Sequence, residues 1–157
     1  MFNNNKNIVD ASQLLLPATE LTDSCYMQMF DSSSNTTNYL TAAPAILPAT
    51  TLVNNCYHGM FAWCQYLTKG PIIAAKDGFS TGMDYMFIYD NTFSCVEAHI
   101  SSSISPRSIF HNVSSDGIFI KPESTSLWQN RPSNWTVLNR DSNHVLWNTD
   151  FNGNSTT

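Results

Sequence analysis

Four cysteines, four histidines and twelve acidic residues are the side chains of this chain that could carry chemistry. Cys25, Cys56, Cys64 and Cys95 contain no C-x₂-C pair, and the gap between Cys56 and Cys64 suits no common zinc knuckle. No nucleophile motif surrounds any of them. They read as free, buried structural thiols. His58, His99, His111 and His144 are scattered, with no companion at metal-ligand spacing. His58, between Tyr57 and Gly59, reads as an exposed polar position on a helical turn. The acids are dispersed in loops, whereas acid–base catalysis needs two of them facing one pocket. The GxSxG, HExxH, P-loop and dinucleotide fingerprints do not occur. Asp150-Phe151-Asn152-Gly153-Asn154 has a faint likeness to a calcium loop, but the glycine at the sixth position and the bidentate glutamate are missing. It reads as a polar tail. The sequons at Asn35, Asn112, Asn134 and Asn154 are expected to be accidents of an Asn-, Ser- and Thr-rich chain. The expectation is a non-catalytic protein without metal or cofactor.

Side chains that bind must be held by something, and here the holder is a repeat. Leu47–Phe61, LPATTLVNNCYHGMF, restates Leu16–Phe30, LPATELTDSCYMQMF, at nine of fifteen positions in the frame LPATxLxxxCYxxMF. The Met-Phe step also stands at Met1-Phe2 and Met86-Phe87, so its four copies are spaced by 28, 31 and 26 residues. A period in this range points to a solenoid, whose coils each bury an apolar face only against a neighbour. Within a copy, Ile8, Leu14 and Leu16 alternate as a short strand ended by Pro17. Leu40–Leu47 reads as the next strand segment. Leu21, Cys25, Tyr26, Met29 and Phe30 form a stripe that predicts a short helical segment over Leu21–Phe30, capped by Thr19 or Thr22. Leu52–Phe61 repeats it. The polar run Asp31–Asn38 is a loop that lengthens one copy. GIFI and WTVL, with turns at Gly117 and Pro132, predict two more strands. The expected layout is about four irregular repeats over 1–100, a C-terminal cap over 101–138 and a polar tail over 139–157.

On this frame the candidate ligand-binding residues are Trp63, Tyr66 and Tyr89. Trp63 shares one aligned place with Asn4, Ser32 and Tyr89, so the repeat itself does not demand an apolar residue there. Clustered aromatics of this kind anchor interfaces. The competing expectation is that Trp63 and Tyr66 pack on a neighbouring loop.

The motifs LPATxLxxxCYxxMF and MFxxCxxLTxxP, with the closing GIFIKP…RPSNWTVLN, resemble leucine-rich repeats of the BspA type. These are found in surface proteins of Bacteroides-like gut and oral bacteria, in some protists and in phages of those bacteria. The likeness spans about Met1–Leu138. It implies an α/β fold: a right-handed leucine-rich-repeat solenoid with a short parallel β-ladder on one face, short helical turns on the other and a C-terminal cap. Ser33, Asp90 and Asn5 depart from the pattern, standing where Cys64 predicts cysteine. Members of the family are mostly adhesins or binding surfaces.

Composition bounds the rest. Only 12% of residues are charged and the net charge is −5, which gives no reason to expect nucleic acid. No run reaches the length of a membrane span, and the first residues, MFNNNKNIVD, lack a signal-peptide core. The expected function is a recognition or adhesion module that holds a protein or glycan at a cell or virion surface. The alternative is a structural virion component, a capsid decoration or fibre, of a phage of gut bacteria. A partner chain or a further domain is expected to cover Ile8–Leu16, whose ladder edge is otherwise bare.

Overall fold

The computed structural model describes residues 2–32 and 37–148. Its strands are β1 (Ile46–Leu47), β2 (Thr51–Leu52), β3 (Lys69–Ile73), β4 (Asp77–Gly78), β5 (Cys95–Ala98), β6 (Ile118–Pro122), β7 (Thr136–Arg140) and β8 (Leu146–Asn148). Six of them form one open sheet in the order β1-β3-β5-β6-β7-β8, and β2 pairs with β4 in a second, two-stranded sheet. Every neighbour up to β7 is parallel; β8 joins antiparallel. The class is therefore α/β, with parallel strands gathered in a sheet and few helices. No described helix is long and apolar enough to cross a membrane.

The sheet follows from β-branched residues set two apart. Val96, Phe119 and Val137 lie in register and are buried. Alternation sends Ile46, Ile72, Glu97 and Leu138 to the other face, where Ile46 stays exposed. Gly117 is required by close approach: a Cβ there would lie 2.5 Å from the Ser94 carbonyl oxygen and 2.6 Å from the Trp135 ring.

The Met-Phe frame supplies the core. Phe2, Phe30, Phe61, Phe87 and Phe110 stack in one row at centroid separations of 5.7, 5.3, 5.6 and 5.8 Å. Phe110 is a fifth member, where the chain spells Ile-Phe in place of Met-Phe. Below it, the Trp128 and Trp135 rings lie 5.9 and 5.8 Å from Phe110. Their indole nitrogens donate to the carbonyls of Ile104 and Ser114.

Several expectations are corrected. Leu21–Phe30 and Leu52–Phe61 are not helices but runs of turns, and the only helical element described is the 3₁₀ segment Ser80–Met83. In the first run Cys25, Met27, Met29 and Asp31 donate to the carbonyl three residues back. The residues between them, Ser24, Tyr26, Gln28 and Phe30, donate across to Asn54, Cys56, His58 and Met60. The second run repeats the scheme, with Tyr57, Gly59 and Phe61 reaching Gly82, Asp84 and Met86. Half the amides are thus spent between copies, which no α-helix allows. A positive φ every fourth residue, at Ser24 and Gln28 and at Asn55, Gly59 and Trp63, closes the turns.

Ile8–Leu16 is no strand. It touches the sheet region through one bridge, Asp10 to Ala42, with Leu16 buried, Ile8 and Leu14 half-buried and Leu15 81% exposed. Of Leu40–Leu47, only Ile46–Leu47 is strand. The loop Asp31–Asn38 lies partly outside the described residues, as do Ser33, Asn35 and Asp150–Asn154. On its far side the chain regains register because Asn38 donates to the Phe30 carbonyl, at 2.7 Å, and accepts from the Leu40 amide. The segment expected as tail carries the end of β7 and all of β8.

Candidate functional site

The run of turns decides where the candidate aromatics stand. Trp63 and Tyr89 occupy matching places, with φ of 64° and 63°, and Asn4 and Asn112 share that left-handed conformation. A bulky residue there carries backbone strain that tertiary packing must offset. The offset is visible: the Trp63 and Tyr89 rings stack at 4.2 Å. Tyr89 continues edge-on to His111 at 5.5 Å. Tyr66, the third candidate, is in a separate pair, stacked on Tyr39 at 5.6 Å, with both rings close to half exposed. The structure thus brings Trp63 and Tyr89 together and sets Tyr66 apart. It also makes the competing expectation partly right, since Trp63 is half-buried against its neighbour.

Sequence reasoning missed Tyr39, Tyr85 and His111. Tyr39 follows the polar loop, which hides its alignment with Tyr66. His111 lies in the copy whose Met-Phe is Ile-Phe. Tyr85 lies edge-on to His58 at 5.4 Å. His58 is therefore not the exposed polar residue expected: it is half-buried, and its Nδ1 has no hydrogen-bond partner among the described residues.

The titratable groups are arranged for structure. All four cysteines are free; Cys56 and Cys64 are buried, Cys95 is half-buried and Cys25 is exposed. The expectation of burial fails at Cys25, which is exposed although its counterpart Cys56 is buried. Burial pushes the Cys56 thiol up to about 11 and the Cys64 thiol well above its ordinary range. Neither is a ready nucleophile.

The acids are not all in loops. Asp31, Asp84, Asp90 and Glu97 are buried. Asp84 accepts from the Arg107 amide at 2.6 Å. Glu97, on β5, is gripped by Arg140 of β7 through three contacts of 2.9–3.1 Å and lies 3.2 Å from His99 Nε2. With both oxygens engaged it ties β5 to β7. Asp90 is fully buried, and neither carboxylate oxygen has a hydrogen-bond partner among the described residues. Burial drives its carboxyl well above the usual range; the Cys64 backbone amide counters this only in part, and Asp31 adds to it.

Two clefts flank these features. One, of about 350 Å³, lies on the outer sheet face between Thr41–Ala45 and Lys69, Ile72, Glu97 and Arg140. The other, of about 300 Å³, opens beside His111 at the end of the aromatic row. Among the described residues no three His, Cys, Asp or Glu side chains converge as a metal site would require. Comparison with protein-family models, curated proteins and solved structures returns no match for this chain.

Proposed function

We propose that this chain is a non-catalytic recognition module, built as an irregular leucine-rich-repeat solenoid, that holds a protein or glycan at a cell or virion surface along its half-exposed aromatic rows. One observation supports the reading above others. Trp63 and Tyr89 are strained left-handed residues whose rings are nevertheless aligned at the surface. Asparagine, which tolerates that conformation, fills the same place at Asn4 and Asn112. The fold has a cheaper solution for the position and the central copies do not use it. Large rigid rings contribute contact area at low entropic cost, which is why they anchor binding sites.

The test is the double substitution Trp63→Ser and Tyr89→Ser, assayed on arrays of surface glycans and proteins. Binding by the parent chain should fall at least tenfold, about 1.4 kcal/mol, with the melting temperature nearly kept. A large drop in melting temperature with binding intact would make the rings core and end the proposal.

A further inference from the structure

At the lower end of the run of turns, the amides that should reach a following copy reach no acceptor among the described residues. Tyr85, Phe87 and Tyr89 donate to Arg107, Ile109 and His111. The matching residues one copy on are Ser108, Phe110 and Asn112: Phe110 stacks on Phe87 at 3°, and Ser108 and Asn112 repeat the positive φ of Tyr85 and Tyr89. By the same geometry their amides point away from the preceding copies. For none of these three is an acceptor found among the described residues. The chain that comes next, 128–132, does not dock in register. Trp128 packs on Phe110 and donates to the Ile104 carbonyl, and the residues after it leave a cleft of about 300 Å³ lined by Ser108, Phe110 and His111 and by Asn130 and Arg131.

Amides that find no acceptor among the described residues and a guanidinium line the same cleft, and together they supply the parts of an oxyanion cradle: N–H dipoles and a cation. Arg131 is held in place by donating to the Trp128 carbonyl and is itself largely buried. His111, the cleft's rim, is also the last ring of the row that begins at Trp63 and passes through Tyr89. We propose that this cleft binds the carboxylate or sulfate group of an acidic oligosaccharide whose sugar rings lie along Trp63, Tyr89 and His111. The oxyanion cradle stands on its own geometry; its assignment to a glycan rests on the recognition reading above.

The experiment is amide-resolved NMR of the whole chain, titrated at constant ionic strength with sodium sulfate, with glucuronate and with a glucuronate-containing disaccharide. Saturable shifts of the Ser108 and Phe110 amides are expected with all three. Asn130 is only half-buried, and Asn130→Asp, which sets a like charge in the cleft, should weaken each by at least tenfold. The disaccharide should bind at least tenfold tighter than glucuronate, and Trp63→Ser with Tyr89→Ser should erase that gain. If neither amide shifts saturably, or Asn130→Asp changes nothing, the cradle is overturned. If sulfate saturates the cleft but the disaccharide gains nothing, the glycan assignment falls and the cradle stands.

Discussion

Asp90 shows what one residue costs in a stacked position. It takes the place of Cys64 one copy on, so a carboxyl sits where a thiol fits, wholly buried beside Asp31. Its folded-state proton affinity is raised, so the folded chain holds a proton that the unfolded chain releases. Below the ordinary carboxylate range both states are protonated and nothing is lost. As pH rises through and above that range, this residue subtracts stability, by up to about 1.4 kcal/mol per pH unit. Denaturant unfolding between pH 4 and pH 7 should show the decline, and Asp90→Asn should flatten it. The same burial logic ranks the thiols. Ellman's reagent on the native chain should modify Cys25 at once and Cys95 slowly, leaving Cys56 and Cys64 until unfolding. Rapid modification of Cys56 would contradict the packing described here.

At the scale of elements, the notable feature is that β7 is tied back to β5 across the strand between them. Arg140 on β7 reaches over β6 to Glu97 on β5 with a bidentate grip, Nε donating to Oε1 and Nη2 to Oε2. Glu97 is almost fully covered and Arg140 about a quarter exposed. Removing the cation leaves a buried carboxylate whose remaining side-chain hydrogen-bond partner among the described residues is His99. Arg140→Ala is expected to cost about 2–3 kcal/mol, read as a lowered urea midpoint with unchanged slope. Replacing both partners together, Glu97→Leu with Arg140→Met, should recover most of that loss. If the single substitution is neutral, the pair is decorative. Helix and turn were confused at this scale for a reason. An apolar stripe at i, i+4, i+5 suits an α-helix, yet it equally suits turns that repeat every four residues. Only the destination of the amides separates the two, and half of them leave the segment.

For the molecule as a whole, about half of the backbone bonds outside the sheets run between copies, most of them 22 to 32 residues apart. Among the described residues, the central copies pack on neighbours on both sides, whereas 3–16 pack on one. Local opening should therefore begin at that end. Hydrogen exchange is expected to release the amides of Ala11 and Leu14 at least thirtyfold sooner, about 2 kcal/mol, than those of Tyr57 and Phe61. Uniform exchange would mean that the whole chain opens as one unit.

The division between sequence and tertiary structure follows from how each signal is written. Repetition is a property of the string itself. The frame LPATxLxxxCYxxMF, the row of Phe30, Phe61 and Phe87, the strands at GIFI and WTVL and the candidates Trp63, Tyr66 and Tyr89 could all be read without coordinates. Register across copies could not. Loops of unequal length shift the count, so the pairing of Tyr66 with Tyr39, the fifth ring at Phe110, the exposure of Cys25 and the grip of Arg140 on Glu97 depend on which copy lies against which. Folding also determined where stacking stops. The Ser108 and Phe110 amides find no acceptor among the described residues because 128–132 packs through Trp128 instead of continuing the amide register, and no local preference in those residues encodes that.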